Sequence, residues 1–147
     1  MSVPFKPPQY HTVTPYLVVD GAAELIEFMA AVLDGTEVLR LPGADGKVGH
    51  AEVKIGDTIL MLADASDPGA RTSTMLHCYV EDCDATYRRA LEHGATSLRE
   101  PRTEFYGDRM AGVQDGFGNQ WYFATHVEDV SDEEMTRRAQ EAAAQVP

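Results

Sequence analysis

Basic residues are scarce in this chain. Twelve Lys and Arg stand against 24 Asp and Glu, a formal charge of −12 over 147 residues. Binding to phosphates needs clustered cations, and the sequence offers only short pairs such as Arg88-Arg89 and Arg137-Arg138. Nucleic acids and anionic membrane surfaces are therefore excluded as expected partners, and the acidity favours a well-hydrated exterior. Cysteine is also sparse. Cys78 and Cys83 make neither a disulfide framework nor a zinc-ligand spacing. Both stand among apolar neighbours and read as small packing hydrophobes of a reduced protein. No apolar run approaches the roughly 18 residues of a membrane span. The opening Met1-Ser2-Val3-Pro4-Phe5-Lys6-Pro7-Pro8 has no apolar signal core, so the expected location is cytoplasmic. A Gly-x-Ser-x-Gly elbow, a phosphate loop and a dinucleotide fingerprint are all missing.

What is present suffices for one domain with a real core: 44% of residues are hydrophobic and 8% aromatic. Residues 1–11, rich in proline, predict an extended N-terminal arm. Thr12 to Val19 reads as a strand, with Pro15 arguing for an edge or an irregularity. Asp20 is placed to cap a helix whose stripe is Ala22, Leu25, Ile26, Met29 and Leu33, and Gly35 to end it in a left-handed conformation. Strands are expected over Thr36 to Leu41, Val48 to Ile55 and Thr58 to Ala63. Ala51, Val53 and Ile55 form the buried face of the second, with His50, Glu52 and Lys54 on the wet or polar face. Gly56-Asp57 is a two-residue hairpin signal.

After a loop around Asp67-Pro68-Gly69 the order repeats. Ser73 to Val80 is a strand, and Asp82 or Asp84 caps a helix with a stripe of Cys83, Tyr87, Ala90 and Leu91. Gly94 ends that helix. Strands Ala95 to Arg102, Arg109 to Gln114 and Gln120 to Thr125 close the half. The offset between halves is about 60 residues, too long for a solenoid period. The fold class is therefore α+β, two βαβββ modules (about 12–64 and 73–126) in a single domain over 12–130. Ser131-Asp132-Glu133-Glu134 is a capping box that opens a C-terminal helix to about Ala144, so 131–147 is a C-terminal helix and tail. Its thin stripe of Met135, Ala139, Ala142 and Val146 either lies on the surface or packs on a partner subunit.

The doubled pattern and several motifs resemble the vicinal-oxygen-chelate superfamily, which includes glyoxalase I, bleomycin-resistance proteins and extradiol dioxygenases. Tyr106-Gly107-Asp108-Arg109 through Asp115-Gly116-Phe117-Gly118-Asn119-Gln120-Trp121 is similar to its PhnB-like branch, as are His50-Ala51-Glu52, Ile55-Gly56-Asp57 and Met61-Leu62-Ala63-Asp64. The resemblance implies strongly curved mixed sheets that enclose a cavity, and a homodimer. It also implies, in metal-dependent members, four strand residues that converge on one cation. Counting along the strands places those positions at Val13, Met61, Met75 and Tyr122. These are not donors for hard or borderline divalent metals, so no bound metal and no cofactor are expected.

Period-two alternation sets Met61, Met75, His77, Tyr79 and Tyr122 on the inward face, and a lining of Met, aromatic groups and one imidazole suits a flat, partly apolar organic ligand. His77 is either a ligand contact or a core histidine satisfied by the backbone. His50 and Glu52 are either a general-base pair, a partial metal site with His77, or a solvated face. Tyr106, Asp108 and Arg109 sit in a loop where Arg109 either pairs an anionic ligand group or pairs Asp108 and fixes the turn. Trp121, of opposite parity to Tyr122, packs under a helix. His126 falls at the surface or a hinge. The leading expectation is a metal-free binder of a small organic molecule through Met61, Met75, His77, Tyr79, Tyr106, Arg109 and Tyr122. Two alternatives remain open: a divalent-metal glyoxalase-type lyase or isomerase that recruits His50, Glu52, His77 or His126, and a structural or regulatory dimer with a vestigial pocket.

Overall fold

A helix with one apolar stripe and a sheet with one apolar face are buried only against each other, and the chain builds this sandwich twice. The computed structural model describes residues 2–145. One unit runs to Thr74 and takes in Gly116–Asn119; the other runs from Met75 to Asp115 and resumes at Gln120.

The first unit contains β1 (Tyr16–Val19), α1 (Ala22–Leu33), β2 (Thr36–Pro42), β3 (Val48–Ile55) and β4 (Thr58–Asp64). Its sheet has the order β1-β4-β3-β2. β1 runs parallel to β4, and the other pairs are antiparallel. The expected stripe of α1 is buried, joined by Phe28 and Val32. Facing it are Leu17, Val19, Ala51, Val53 and Leu62, all without exposure. Each of the Leu and Val side chains contributes roughly 1.5–3 kcal/mol of burial free energy.

Three features differ from the sequence expectation. β1 starts at Tyr16, because Pro15 cannot donate to the ladder; its carbonyl instead accepts from the Met61 N–H at 2.9 Å. The residue capping α1 is Gly21, left-handed at φ 99°, with no side-chain cap of its own. The capping carboxylate comes from the end of β4. Asp64 Oδ1 accepts from the N–H groups of Gly21 (3.0 Å) and Ala22 (2.9 Å), and Oδ2 accepts from Val48 (2.7 Å). Asp20 pairs with Arg71 instead. At the other end, Asp34 takes the left-handed position at φ 55°. Gly35 serves close packing: a Cβ there would stand 2.9 Å from Val53 Cγ1.

The second unit repeats the plan with β5 (Met75–Tyr79), α2 (Cys83–Glu92), β6 (Thr96–Thr103), β7 (Asp108–Gln114) and β8 (Gln120–His126), followed by α3 (Asp132–Ala144). The sheet order is β5-β8-β7-β6, with β5 parallel to β8. Asp82 caps α2 by accepting from the Ala85 N–H at 3.1 Å. Thr125 stands where Asp64 stands in the first unit, accepting from the Cys83 N–H at 2.9 Å and donating to the Val80 carbonyl. Trp121 is fully buried on the α2 side, with its indole N–H donating to Asp115 at 2.8 Å. Leu91, expected in the buried stripe, is partly exposed instead. Burial pushes both thiols, Cys78 and Cys83, up to about 11, which suits packing rather than reactivity. Among the described residues α3 buries no side chain; Val146 of its expected stripe lies outside them. Among the described residues no helix is long and apolar enough to cross a membrane.

Candidate functional site

Strand parity in the second unit separates the expected site residues onto two faces. Trp121, Phe123, Ala111 and Val113 point at α2 and are buried. On the other face, His77 lies opposite Tyr122 and Tyr122 opposite Gly112, while Tyr79 lies opposite Ala124 and Ala124 opposite Met110. This face carries an exposed row along β5. Met75 is 64% and Tyr79 67% exposed, His77 between them is exposed too, and the His77 and Tyr79 rings meet edge-on at 5.4 Å. Gly112 lets the Tyr122 ring lie across the sheet, since a Cβ would stand 2.5 Å from its Cε1. Tyr106 joins the same face through its hydroxyl, 3.5 Å from Met110 Sδ.

A chain of polar groups closes the end of this face. Tyr79 donates to Asp108 Oδ2 at 3.0 Å. His126 Nδ1 meets Asp108 Oδ1 at 2.8 Å, and Nε2 meets Asp129 at 2.7 Å. With a carboxylate at each ring nitrogen, His126 is held above the ordinary imidazole value, by Asp108 first and Asp129 second. The Asp108 hydrogen bond likewise holds the Tyr79 phenol high.

Arg109 is not part of this platform, nor does it pair with Asp108. Adjacent strand residues face opposite ways, so Asp108 turns to Tyr79 while Arg109 turns to α2. There it makes a fork with Asp84 at 2.6 and 2.9 Å. Arg109 lines an open depression of about 290 Å³ with Asp84, Tyr87, Arg88, Glu100 and Pro101, where two cations and two carboxylates balance.

Met61 belongs to the first unit. It lies between Tyr16 of β1 and Glu52 of β3 in the sheet register. Glu52 is no solvated strand residue. It is 5% exposed, and both its oxygens accept: Oε1 from the Tyr10 hydroxyl at 2.6 Å, Oε2 from His50 Nε2 at 2.8 Å. Burial raises its carboxyl, but these two hydrogen bonds outweigh the rise and leave it below the ordinary value. The remaining His50 nitrogen, Nδ1, stands 3.0 Å from the Tyr16 hydroxyl.

The register also revises the strand counting. Met61 lies opposite Tyr16, not Val13, and Tyr122 opposite His77, not Met75. A thioether, two phenols and one imidazole at these positions still do not fit a hard or borderline divalent cation. Among the described residues no group of three or more His, Cys, Asp or Glu could hold a metal ion. Sequence reasoning missed Tyr10, Tyr16 and Gly112, and read Asp108 as part of a loop or turn and His126 as surface or hinge. Parity counted outward from Tyr122 would have placed Gly112, Asp108 and His126 on its face.

A profile of the Glyoxalase/Bleomycin resistance protein/Dioxygenase superfamily matches residues 9–123. The chain belongs to that superfamily. It is 35% identical over 133 residues to the uncharacterized protein Mb0911c of Mycobacterium bovis, covering 83% of this chain and 88% of the relative. The fold is similar to that of TioX from Micromonospora sp. ML1 (TM-score 0.63, 23% identity, 78% of this chain and 99% of that one). It is also similar to the putative 3-demethylubiquinone-9 3-methyltransferase, PhnB protein, from Bacillus cereus (TM-score 0.63, 17% identity, 78% and 99%), and to the fosfomycin resistance protein FosX from Mesorhizobium loti (TM-score 0.60, 16% identity, 86% and 97%).

Proposed function

We propose that the protein is a metal-free binder of a small, flat, partly apolar organic molecule, and that the ligand lies on the β5–β8–β7 face of the second unit. The exposed row of Met75, His77 and Tyr79 beside the flat-lying Tyr122 ring supports this most directly. Contiguous apolar surface is costly to leave in water and commonly marks a binding site. Tyr122 offers a stacking surface, Met75 an adaptable thioether, and His77 a hydrogen bond. Membership of a superfamily that includes bleomycin-resistance proteins agrees with sequestration as the role.

The test is a thermal-shift screen with aromatic antibiotics and metabolites, followed by NMR on wild type and the Tyr122→Ala and Gly112→Ala variants. A binder should raise the melting temperature and shift the His77 ring and Met75 methyl signals. Gly112→Ala should displace the Tyr122 ring, weaken binding, and cost roughly 1–3 kcal/mol by overpacking. A ligand that binds equally well to the Tyr122→Ala protein refutes the platform. Stoichiometric nickel, zinc or manganese binding that disappears in His77→Ala would support the metal-dependent lyase instead.

One observation supports a second reading, a homodimer. All seven residues of β2 are exposed, among them Val38, Leu39 and Leu41. An edge strand with apolar side chains is a template for pairing with another copy.

A further inference from the structure

The face of the first unit away from α1 holds a linear set of groups with assigned proton positions. Glu52 is buried and ionised, so it accepts from His50 and the Nε2 atom must carry the ring proton. In the neutral imidazole Nδ1 is then the acceptor, and the Tyr16 hydroxyl, 3.0 Å away, is its donor. Tyr10 occupies the second Glu52 oxygen at 2.6 Å, which fixes the carboxylate in place. The Tyr16 and His50 rings stand 5.6 Å apart and tilted by 45°. Tyr16 is 45% exposed, and its contact with His50 lies at the surface, so the pair is within reach of a molecule from solvent. A hydroxyl nucleophile, a base within hydrogen-bond reach and a carboxylate that orients the base constitute a nucleophilic relay, whatever fold carries it.

We infer that Tyr16, His50 and Glu52 form a base-assisted phenol able to accept an acyl group from a small activated acyl donor. In the step, the Tyr16 oxygen bonds to the carbonyl carbon as the bond from that carbon to its leaving group breaks. The phenolic proton passes to His50 Nδ1, and the leaving group departs with the bonding electrons. Glu52 balances the imidazolium until His50 returns its proton to water. Tyr16 is the reacting group, and His50 and Glu52 act through it. All of these residues, with Tyr10, belong to the first unit, so this inference stands or falls separately from the ligand platform.

The second unit contains an internal control. Tyr79 is also exposed, but its hydroxyl donates to the Asp108 carboxylate instead of to an imidazole nitrogen. The probe is p-nitrophenyl acetate, with acetylated tyrosines located by peptide mass spectrometry across a pH series. Tyr16 should acquire acetyl at least about tenfold faster than Tyr79, and His50→Gln should lower the Tyr16 rate by about 10²-fold. His50→Gln keeps hydrogen-bond partners for both Tyr16 and Glu52 but cannot act as the base, so a purely structural His50 would leave the rate unchanged. Glu52→Gln should move the pH profile of Tyr16 labelling, while Tyr10→Phe should retain the label if Glu52→Gln does not fold. Equal labelling of Tyr16 and Tyr79, or a His50→Gln protein labelled as fast as wild type, would overturn the inference.

Discussion

Asp64 shows how much one residue organises. Its two oxygens accept from Gly21, Ala22 and Val48, tying the start of α1 and the start of β3 to the end of β4. Burial pushes its carboxyl up, yet the three backbone N–H groups and Lys47 more than reverse this, and it sits below the ordinary value. A carboxyl depressed in the folded state contributes stability above its unfolded value, about 3.9 for Asp, and loses it as pH falls through the folded value. Asp64→Asn removes the charge and places an amide against backbone donors. We expect it to cost about 1–3 kcal/mol at pH 7, with the gap to wild type closing below about pH 4. Urea unfolding of both proteins at pH 7 and pH 3 checks this; a gap of equal size at both would show that the charge is not what holds α1. Thr125 holds the matching place in the second unit with a neutral hydroxyl, so its capping contribution does not titrate.

At the scale of elements, α3 contrasts with α1 and α2. Its start follows the capping-box expectation, with the Ser131 hydroxyl accepting from the Glu134 N–H at 3.2 Å. No side chain on it is buried. It is attached through Arg138, which donates to the Phe105 carbonyl and to Glu128, and Glu134 ties Arg137 and Arg138 together. Exposed ion pairs contribute little, and propensity alone does not hold a helix of this length in water. Ending the chain at Val130 should therefore lower the melting temperature only slightly and leave near-ultraviolet circular dichroism unchanged. A cooperative loss of structure would mean that α3 covers more than its contacts indicate. The α1 stripe, the α2 stripe apart from Leu91, and the hairpin were legible in the sequence because their period-3.6 and period-2 signals are local. Gly56-Asp57 turns the chain between β3 and β4 as expected. The N-terminal cap of α1 was not legible, because the carboxylate that satisfies its first N–H groups lies more than 40 residues away in sequence.

At the scale of the whole molecule, the fully exposed β2 carries the proposed dimer. Pairing through this strand predicts a mass near twice 16.1 kDa by light scattering at micromolar concentration. Leu39→Glu with Leu41→Glu should reduce it to a monomer with the fold intact, because like charges along an edge oppose strand addition. A wild-type monomer across that range would remove the reading.

Sequence alone was sufficient for the doubled βαβββ plan, the superfamily and the opposite parity of Trp121 and Tyr122, since each follows from short-range periodicity or a contiguous motif. Tertiary structure decided which residues share hydrogen bonds. Pairing β1 against β4 and β5 against β8 is non-local, and a register shift exchanges every neighbour across the strand. That is why Tyr16 stands where Val13 was counted, and why Glu52 is buried among Tyr10, His50 and Met61.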